Sequence, residues 1–361
     1  MTWIGLRSAT EAGLSMAGLG QPNPEHHLNP DMIVPRGSVL LQFSHAPQAQ
    51  RLNLVRYAAR DPWPAGLTLC IDPCGTLQLL LRQGATSQSF AVPTSIREQG
   101  EVVIVIYSWD APARDGALSV YLPDRDLMFQ TDVVAPAPLS LRDLGRIMTE
   151  GPECTLGHGV AFVAVSDRII PAGPFGGIGG TARIDTLDGP CPVDRLRPGQ
   201  VVRTADGGSA RIVCVGAVDL PALGRFAPLI LRAPYHGLSA DIVVSPDQRM
   251  YLTGTDIEYL FGQEEVLAAI RHLRDDRSVL QPHPPAVTRY YQLVLDRHAI
   301  IRANGVALES LPPGPILADP AFLRHSVLAS VPAALIPQGP ALPYPVLRDF
   351  EAMTWRRLKA A

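Results

Sequence analysis

The apolar positions of this chain recur mainly at every second residue or in short unbroken runs, and turn residues interrupt them at short intervals. That is the period of a strand, whereas an amphipathic helix spaces its apolar residues three and four apart. Between residues 36 and 167 the strand-like runs are SVLLQFSH (38–45), LNLVRYAA (52–59), LTLCID (67–72), TLQLLLRQ (76–83), SQSFAVP (87–93), EVVIVIYSWDAP (101–112) and ALSVYLPD (117–124). VAFVAVSDRIIPAGP (160–174) closes the series. The nearly continuous VVIVIYSW is what a strand covered on both faces requires. Strand-sized runs at this spacing predict a sandwich or jelly roll. One stretch breaks the pattern: Leu141, Leu144, Ile147 and Met148 fall three and four apart, which predicts a helix over 139–150 capped by Ser140. Residues 1–35 are polar and weakly periodic, and fit either a flexible lead or an edge strand.

The run PAGPFGGIGG (171–180) predicts a linker whose glycines can take φ > 0 at a sharp turn. Beyond it the pattern is again β. ARIDT and PCPVDRL flank a turn at Leu187-Asp188-Gly189-Pro190, and VVRTADGGSARIVCVGAV (201–218) reads as a hairpin with Asp206-Gly207 at its tip. LILRAPYHG and DIVVSPDQRMYL follow. IEYLFGQEEVLAAIRHL (257–273) is ambiguous, because its tail carries helical spacing. YYQLVLDRHAIIRANGVALES (290–310) reads as a closing hairpin turning at Asn304-Gly305.

Composition narrows the function classes. A length of 361 residues allows two domains with ample core. Apolar content of 47% is ordinary and charged content of 18% is low. With 31 basic against 34 acidic residues the net charge is −3, which offers no electrostatic footing for a nucleic acid or an anionic membrane. No long apolar run predicts a membrane span. MTWIGLRSATEAGL lacks the basic start and apolar core of a secretory signal peptide, leaving a cytoplasmic location and a signal-less export route both open. The five cysteines (Cys70, Cys74, Cys154, Cys191, Cys214) include no second Cys or His pair at zinc spacing, so neither a metal site nor a cofactor is expected. Asp110, Asp115, Asp124, Asp126 and Asp132 read as solvated turn residues rather than calcium ligands, and His26-His27 as a solvated loop.

Three ordered blocks carry a family resemblance. Gly180-Thr181 followed by Pro192, Val193, Leu196, Gly199 and Val202, then Ser245-Pro246-Asp247-Gln248-Arg249, then His298 with Asn304-Gly305, resemble the Hint fold of Hedgehog C-terminal domains and inteins, above all the bacterial Hint-domain proteins. IYSWDAPARDGALSVYLPD resembles the adjoining strand pair of a concanavalin-like, laminin-G-type sandwich, a fold that often binds glycans. The tail PALPYPVLRDFEAMTWRR (340–357) is similar to the end of bacterial Hint-domain chains. The resemblance implies a mainly β protein: a lead at 1–35, a concanavalin-like β-sandwich (jelly roll) at 36–172, an all-β Hint domain at 173–315, and a tail at 316–361 packed on it.

The resemblance also says which chemistry to look for. Hint domains attack the carbonyl before their own first residue with that residue's side chain. The shift from amide to ester or thioester is uphill and needs an ionisable nucleophile, best a cysteine. The departing nitrogen must be protonated, the task of the histidine in the S-P-x-H-R block. Here Gly176 holds the nucleophile's place and Gln248 the histidine's. Glutamine can donate a hydrogen bond to a carbonyl but cannot deliver a proton. Thr181 is implied to orient, Ser245 and Pro246 to fix their loop, and His298 to shape the pocket. No catalytic residue is expected. Three readings stay open: a degenerate Hint scaffold or binding protein, an active autoprocessing protein with a non-standard nucleophile, and a surface protein binding a glycan or protein ligand through its sandwich.

Overall fold

A computed structural model describes residues 3–21, 29–283, 285–312, 319–329, 331–336 and 342–360, and His26-His27 lies outside them. The chain divides into two compact units, Met1–Pro174 and Phe175–Ala361.

The first unit is a sandwich of two antiparallel sheets. One is seven-stranded, in the order Leu127–Asp132, Asp115–Leu122, Val102–Asp110, Arg36–Ser44, Val160–Ser166, Trp3–Ser8, Ala12–Leu14. The other is five-stranded, in the order Cys154–Leu156, Leu52–Ala59, Ala65–Ile71, Thr76–Gln83, Thr86–Pro93. Alternate residues of each fill a shared core: Val39, Leu41, Phe43, Val103 and Val105 from the first, Leu67, Leu69, Leu77 and Leu79 from the second. Each such side chain contributes about 1.5–3 kcal/mol by leaving water. Ile104 and Ile106, which point the other way, are 0% and 2% exposed, so the VVIVIYSW run is covered on both faces as its composition requires.

The helix forms at Leu141–Met148, with Ser140 Oγ accepting the Asp143 N–H and the apolar stripe packed into the core. Asp143 also takes the buried hydroxyl of Tyr57 at 2.5 Å. Of the two readings of residues 1–35, a strand prevails: Trp3–Ser8 pairs with Val160–Ser166, and Ala12–Leu14 lies at the sheet edge. The run expected over 160–174 stays extended in the sheet only to Ser166. Leu127–Asp132 and Cys154–Leu156 are strands with too few alternating positions to show in the sequence.

The second unit strings short antiparallel strands along one path. Its spine is Ser209–Pro221 against Val287–Leu295. Ile178–Gly179 pairs on one side with Tyr290-Tyr291 and on the other with Val244. Residues 175–180 are therefore packed chain and not linker. Ile300–Ala303 and Val306–Glu309 form the hairpin at Asn304-Gly305, whose φ of 49° and 98° are the paired positive values of a two-residue turn. Tyr290–Leu295 is not an arm of that hairpin, as the sequence suggested, because its apolar face serves the longer Ser209–Pro221 partner.

The ambiguous 257–273 stretch resolves into three pieces. Thr255–Phe261 is a helix stopped by Gly262 in the left-handed region (φ 64°), Glu265–Ala269 is a buried strand, and Ile270–Leu273 is a 3-10 turn. A short continuous apolar run imitates helical spacing, which is why the pattern alone misleads there. The C-terminal residues complete the core. Leu267 donates to the Pro345 carbonyl and accepts from the Leu347 N–H, while the helix Asp349–Ala360 buries Ala352 and Trp355.

Candidate functional site

The site forms where Ile178–Gly179 is squeezed between two strands. A side chain at Gly177 would put its Cβ 2.8 Å from Tyr290 Cβ and 3.0 Å from the Tyr291 carbonyl, and one at Gly179 would meet Val243 Cβ at 2.8 Å. These two glycines are required by close approach, whereas the φ > 0 expected of this run is found at Gly173, at φ 104°. Gly176 differs. Its φ is not in the left-handed region, and a Cβ there would find only the Asp247 carbonyl at 3.8 Å and Gln248 Oε1 at 3.9 Å. The position expected for the nucleophile therefore faces the position expected for the proton donor across ordinary contact distance.

The Ser245–Gln248 segment is held from three directions. Ser245 Oγ accepts the Gly177 N–H at 2.9 Å, the Ser245 N–H donates to the Gly177 carbonyl at 2.9 Å, and Gln248 N–H closes the turn onto the Ser245 carbonyl at 3.1 Å. Asp247, 11% exposed, is clamped between Arg225 at 3.0 Å and Arg271 at 2.5 Å. Gln292 Nε2 donates to the Gly176 carbonyl at 2.6 Å. Tyr290 donates its hydroxyl to the Phe226 carbonyl at 2.8 Å, and burial, then the charge of Asp247, pushes its phenol well above the ordinary range, so it remains a neutral donor. Phe175 packs edge-on against Phe226, 5.0 Å between centroids.

Gln248 is 7% exposed, and its amide N–H₂ is spent on the Glu309 carbonyl at 2.8 Å and the Arg249 carbonyl at 3.3 Å. The oxygen is what it turns toward residue 176. The sequence reading allowed this glutamine to donate to a substrate carbonyl, and the structure corrects it: an acceptor faces the site. Glu309 continues the network through its side chain. His298 Nε2 lies 3.1 Å from Glu309 Oε1, and Arg249 reaches the other oxygen at 3.4 Å. His298 Nδ1 accepts the Leu342 N–H at 3.0 Å, and its Nε2 is the nitrogen on the Glu309 side.

Of the five residues singled out from sequence, Gly176, Ser245 and Gln248 meet directly, and His298 joins them through Glu309. Thr181 does not: its side chain is exposed in the turn after Gly180. Glu309, Gln292, Asp247 and Leu342 were missed. The lone glutamine inside YYQLVL and the glutamate of VALES are the signals that could have found two of them. Nothing in the sequence ties Leu342 to the site. Among the described residues no group of three or more His, Cys, Asp or Glu side chains is placed to hold a metal.

The Hint domain family model matches residues 179–315. That segment is a Hint domain. It spans the Ser245–Arg249 turn, the His298 site and the Asn304-Gly305 hairpin, and begins three residues after Gly176. No curated protein matches the chain. Solved structures similar to it include a Ruminococcus gnavus IT-sialidase CBM40 bound to alpha2,3 sialyllactose, 13% identical over 37% of this chain and 76% of that one, TM-score 0.28. Another is the LG1-3 region of the laminin alpha2 chain, 9% identical over 86% of this chain and 55% of that one, TM-score 0.28. The two sheets and the matched segment make the chain mainly β, a sandwich followed by a Hint domain, and the tail residue Leu342 reaches the Hint domain's histidine from beyond the matched segment.

Proposed function

We propose that the Hint domain does not cleave its own chain and acts as a folded scaffold, while the sandwich carries the binding of a glycan or protein ligand. The observation that carries this is the Gly176 position: built in register with Gln248, sterically open to a side chain, and without one. An acyl shift at the Phe175–Gly176 bond needs a nucleophile on residue 176 and an acid for the departing nitrogen. Glycine supplies no nucleophile, and the oxygen of Gln248 supplies no proton.

Substitute nucleophiles fare poorly. Ser245 Oγ accepts the Gly177 N–H at 2.9 Å, a bond that ties it to the Gly176–Gly177 peptide, one peptide beyond the Phe175–Gly176 bond. Cys191 sits on the Gly189–Pro192 strand opposite Ile184. Burial pushes the thiols of Cys70, Cys154 and Cys214 up, which leaves less thiolate near neutrality. The test is intact mass after long incubation in dithiothreitol or hydroxylamine at neutral pH. One full-length species is the expected result, and time-dependent fragments ending at Phe175 would overturn the reading.

A further inference from the structure

We propose that Trp63 is the platform of a glycan-binding site on the sandwich, one that stacks a pyranose ring. Of the four tryptophans, Trp3, Trp109 and Trp355 are 1%, 0% and 6% exposed, whereas Trp63 is 62% exposed. It stands in the turn between Leu52–Ala59 and Ala65–Ile71. Its indole does not hang free. A Cβ added at Gly84 would come within 2.4 Å of Trp63 Cζ2 and 2.9 Å of Cε2, so the six-membered ring rests directly on the Gly84 backbone. Gly84 is buried beneath it.

The two turns are tied together and to the helix. The Gly84 N–H donates to the Pro64 carbonyl at 2.7 Å, and Arg146 Nη1 donates to the Asp61 carbonyl at 2.9 Å. The ring is therefore held before any ligand arrives, which spares the ordering cost that weak binders otherwise incur. The outer face of the indole is left free for contact with a ligand, Trp63 being 62% exposed.

What surrounds the ring selects the ligand. Arg60, Asp61 and Arg82 are exposed, and Arg82 Nε bonds the Gly84 carbonyl at 3.4 Å, beside the indole. A ring-sized apolar face rimmed by charged donors and acceptors matches a pyranose, whose axial C–H bonds form an apolar face and whose equatorial hydroxyls point outward to the rim. A stable protein partner needs about 800 Å² per side with an apolar centre of several residues, more than one ring provides.

The proposal rests on the reading of the sandwich as the ligand-binding half, and the experiment separates the two. The labelled full-length chain is applied to a glycan array beside Trp63→Ala and Trp63→Tyr, each checked for an unchanged unfolding transition. The expected result is binding to at least one glycan class by the wild type, a loss of signal of about tenfold or more in Trp63→Ala, and retention of most of it in Trp63→Tyr, which keeps an aromatic face. Binding that is equal in wild type and Trp63→Ala overturns the platform and leaves glycan binding standing elsewhere on the chain. No binding by the wild type to any glycan overturns the platform and leaves a protein as the sandwich's ligand.

Discussion

The two units keep their distinctive features in opposite ways. In the sandwich, neighbouring strands of the five-stranded sheet are mostly joined by short turns, and its candidate ligand contact is an exposed indole that the core does not need. In the Hint domain, the site is assembled from segments far apart in sequence: Ile178–Gly179 lies against Val244 and Tyr290-Tyr291, and Gln248 against Glu309. There the geometry is written in backbone approach and buried polar contacts. The difference teaches that the absence of a side chain at Gly176 leaves the surrounding contacts in place, because the bonds from Ser245 and Gln292 run to the backbone of residues 176 and 177.

The largest expected effect sharpens this contrast. Glu309 is 5% exposed at its side chain and faces His298, itself 3% exposed, with Arg249 on its second oxygen. The charged contact is with Arg249, a quarter exposed at its side chain, so removing the buried acid from it and from the imidazole costs about 1.5–3 kcal/mol. Urea unfolding of Glu309→Ala should show a loss of that order, whereas Trp63→Ala, at an exposed site, should stay within about 0.5 kcal/mol of wild type. Equal effects would erase the distinction between a built site and a surface feature.

Adjacent glycines provide a finer version. Gly177→Ala drives a methyl into Tyr290 and the Tyr291 carbonyl and should cost about 1–3 kcal/mol. Gly176→Ala meets nothing closer than 3.8 Å, and its cost should fall below about 1 kcal/mol. Calorimetric melting of both variants checks the pair, and a reversed order would mean that the strand at Ile178–Gly179 is not seated as described.

Acid should separate the units more gently. Burial lowers the His45 imidazole in the sandwich despite the opposing charge of Glu101, and burial lowers His236 in the Hint domain despite Asp275. Because each folded imidazole binds its proton less readily than the unfolded one, stability is held above about pH 6.5 and declines as pH falls below it. The Hint domain has a further step. Burial pushes Asp275 up, but the N–H groups of Val279, Arg277 and Ser278 and the Ser278 hydroxyl more than offset it and bring the carboxyl down to about 2. That contribution is present above about pH 4 and is lost as pH falls toward 2. Melting scans from pH 7.5 to 2.5 should show the first decline weakened in His45→Gln and the second in Asp275→Asn.

How much of this was legible in the sequence depended on whether the signal was local. Alternation marked most sandwich strands, and the Leu141–Met148 stripe with Ser140 marked its helix, because neighbours in sequence set those elements. The Hint motifs marked Ser245, Gln248 and His298. Thr181 fell outside the pocket because its turn points its side chain to solvent. Glu309 and Gln292 were hidden because their roles come from partners 11 to 116 residues away, through which a strand residue becomes a buried acid or a carbonyl donor. The strand at Cys154–Leu156 was equally silent, being specified by the sheet it joins, and Trp3–Ser8 was legible only as one of two options. Trp63 was present in the sequence but gained meaning only from Gly84 beneath it.

The central claim is that two side chains, not a pocket, separate this domain from self-cleavage. The double variant Gly176→Cys with Gln248→His supplies a nucleophile and a proton donor in positions that already face each other. Groups that act as a unit are strongly non-additive, so Gln248→His alone should do nothing and Gly176→Cys alone at most a trace. Mass spectrometry of the three variants with and without added thiol decides. The account predicts a thiol-dependent break between Phe175 and residue 176 in the double variant. A double variant that melts like the wild type yet stays whole would contradict it.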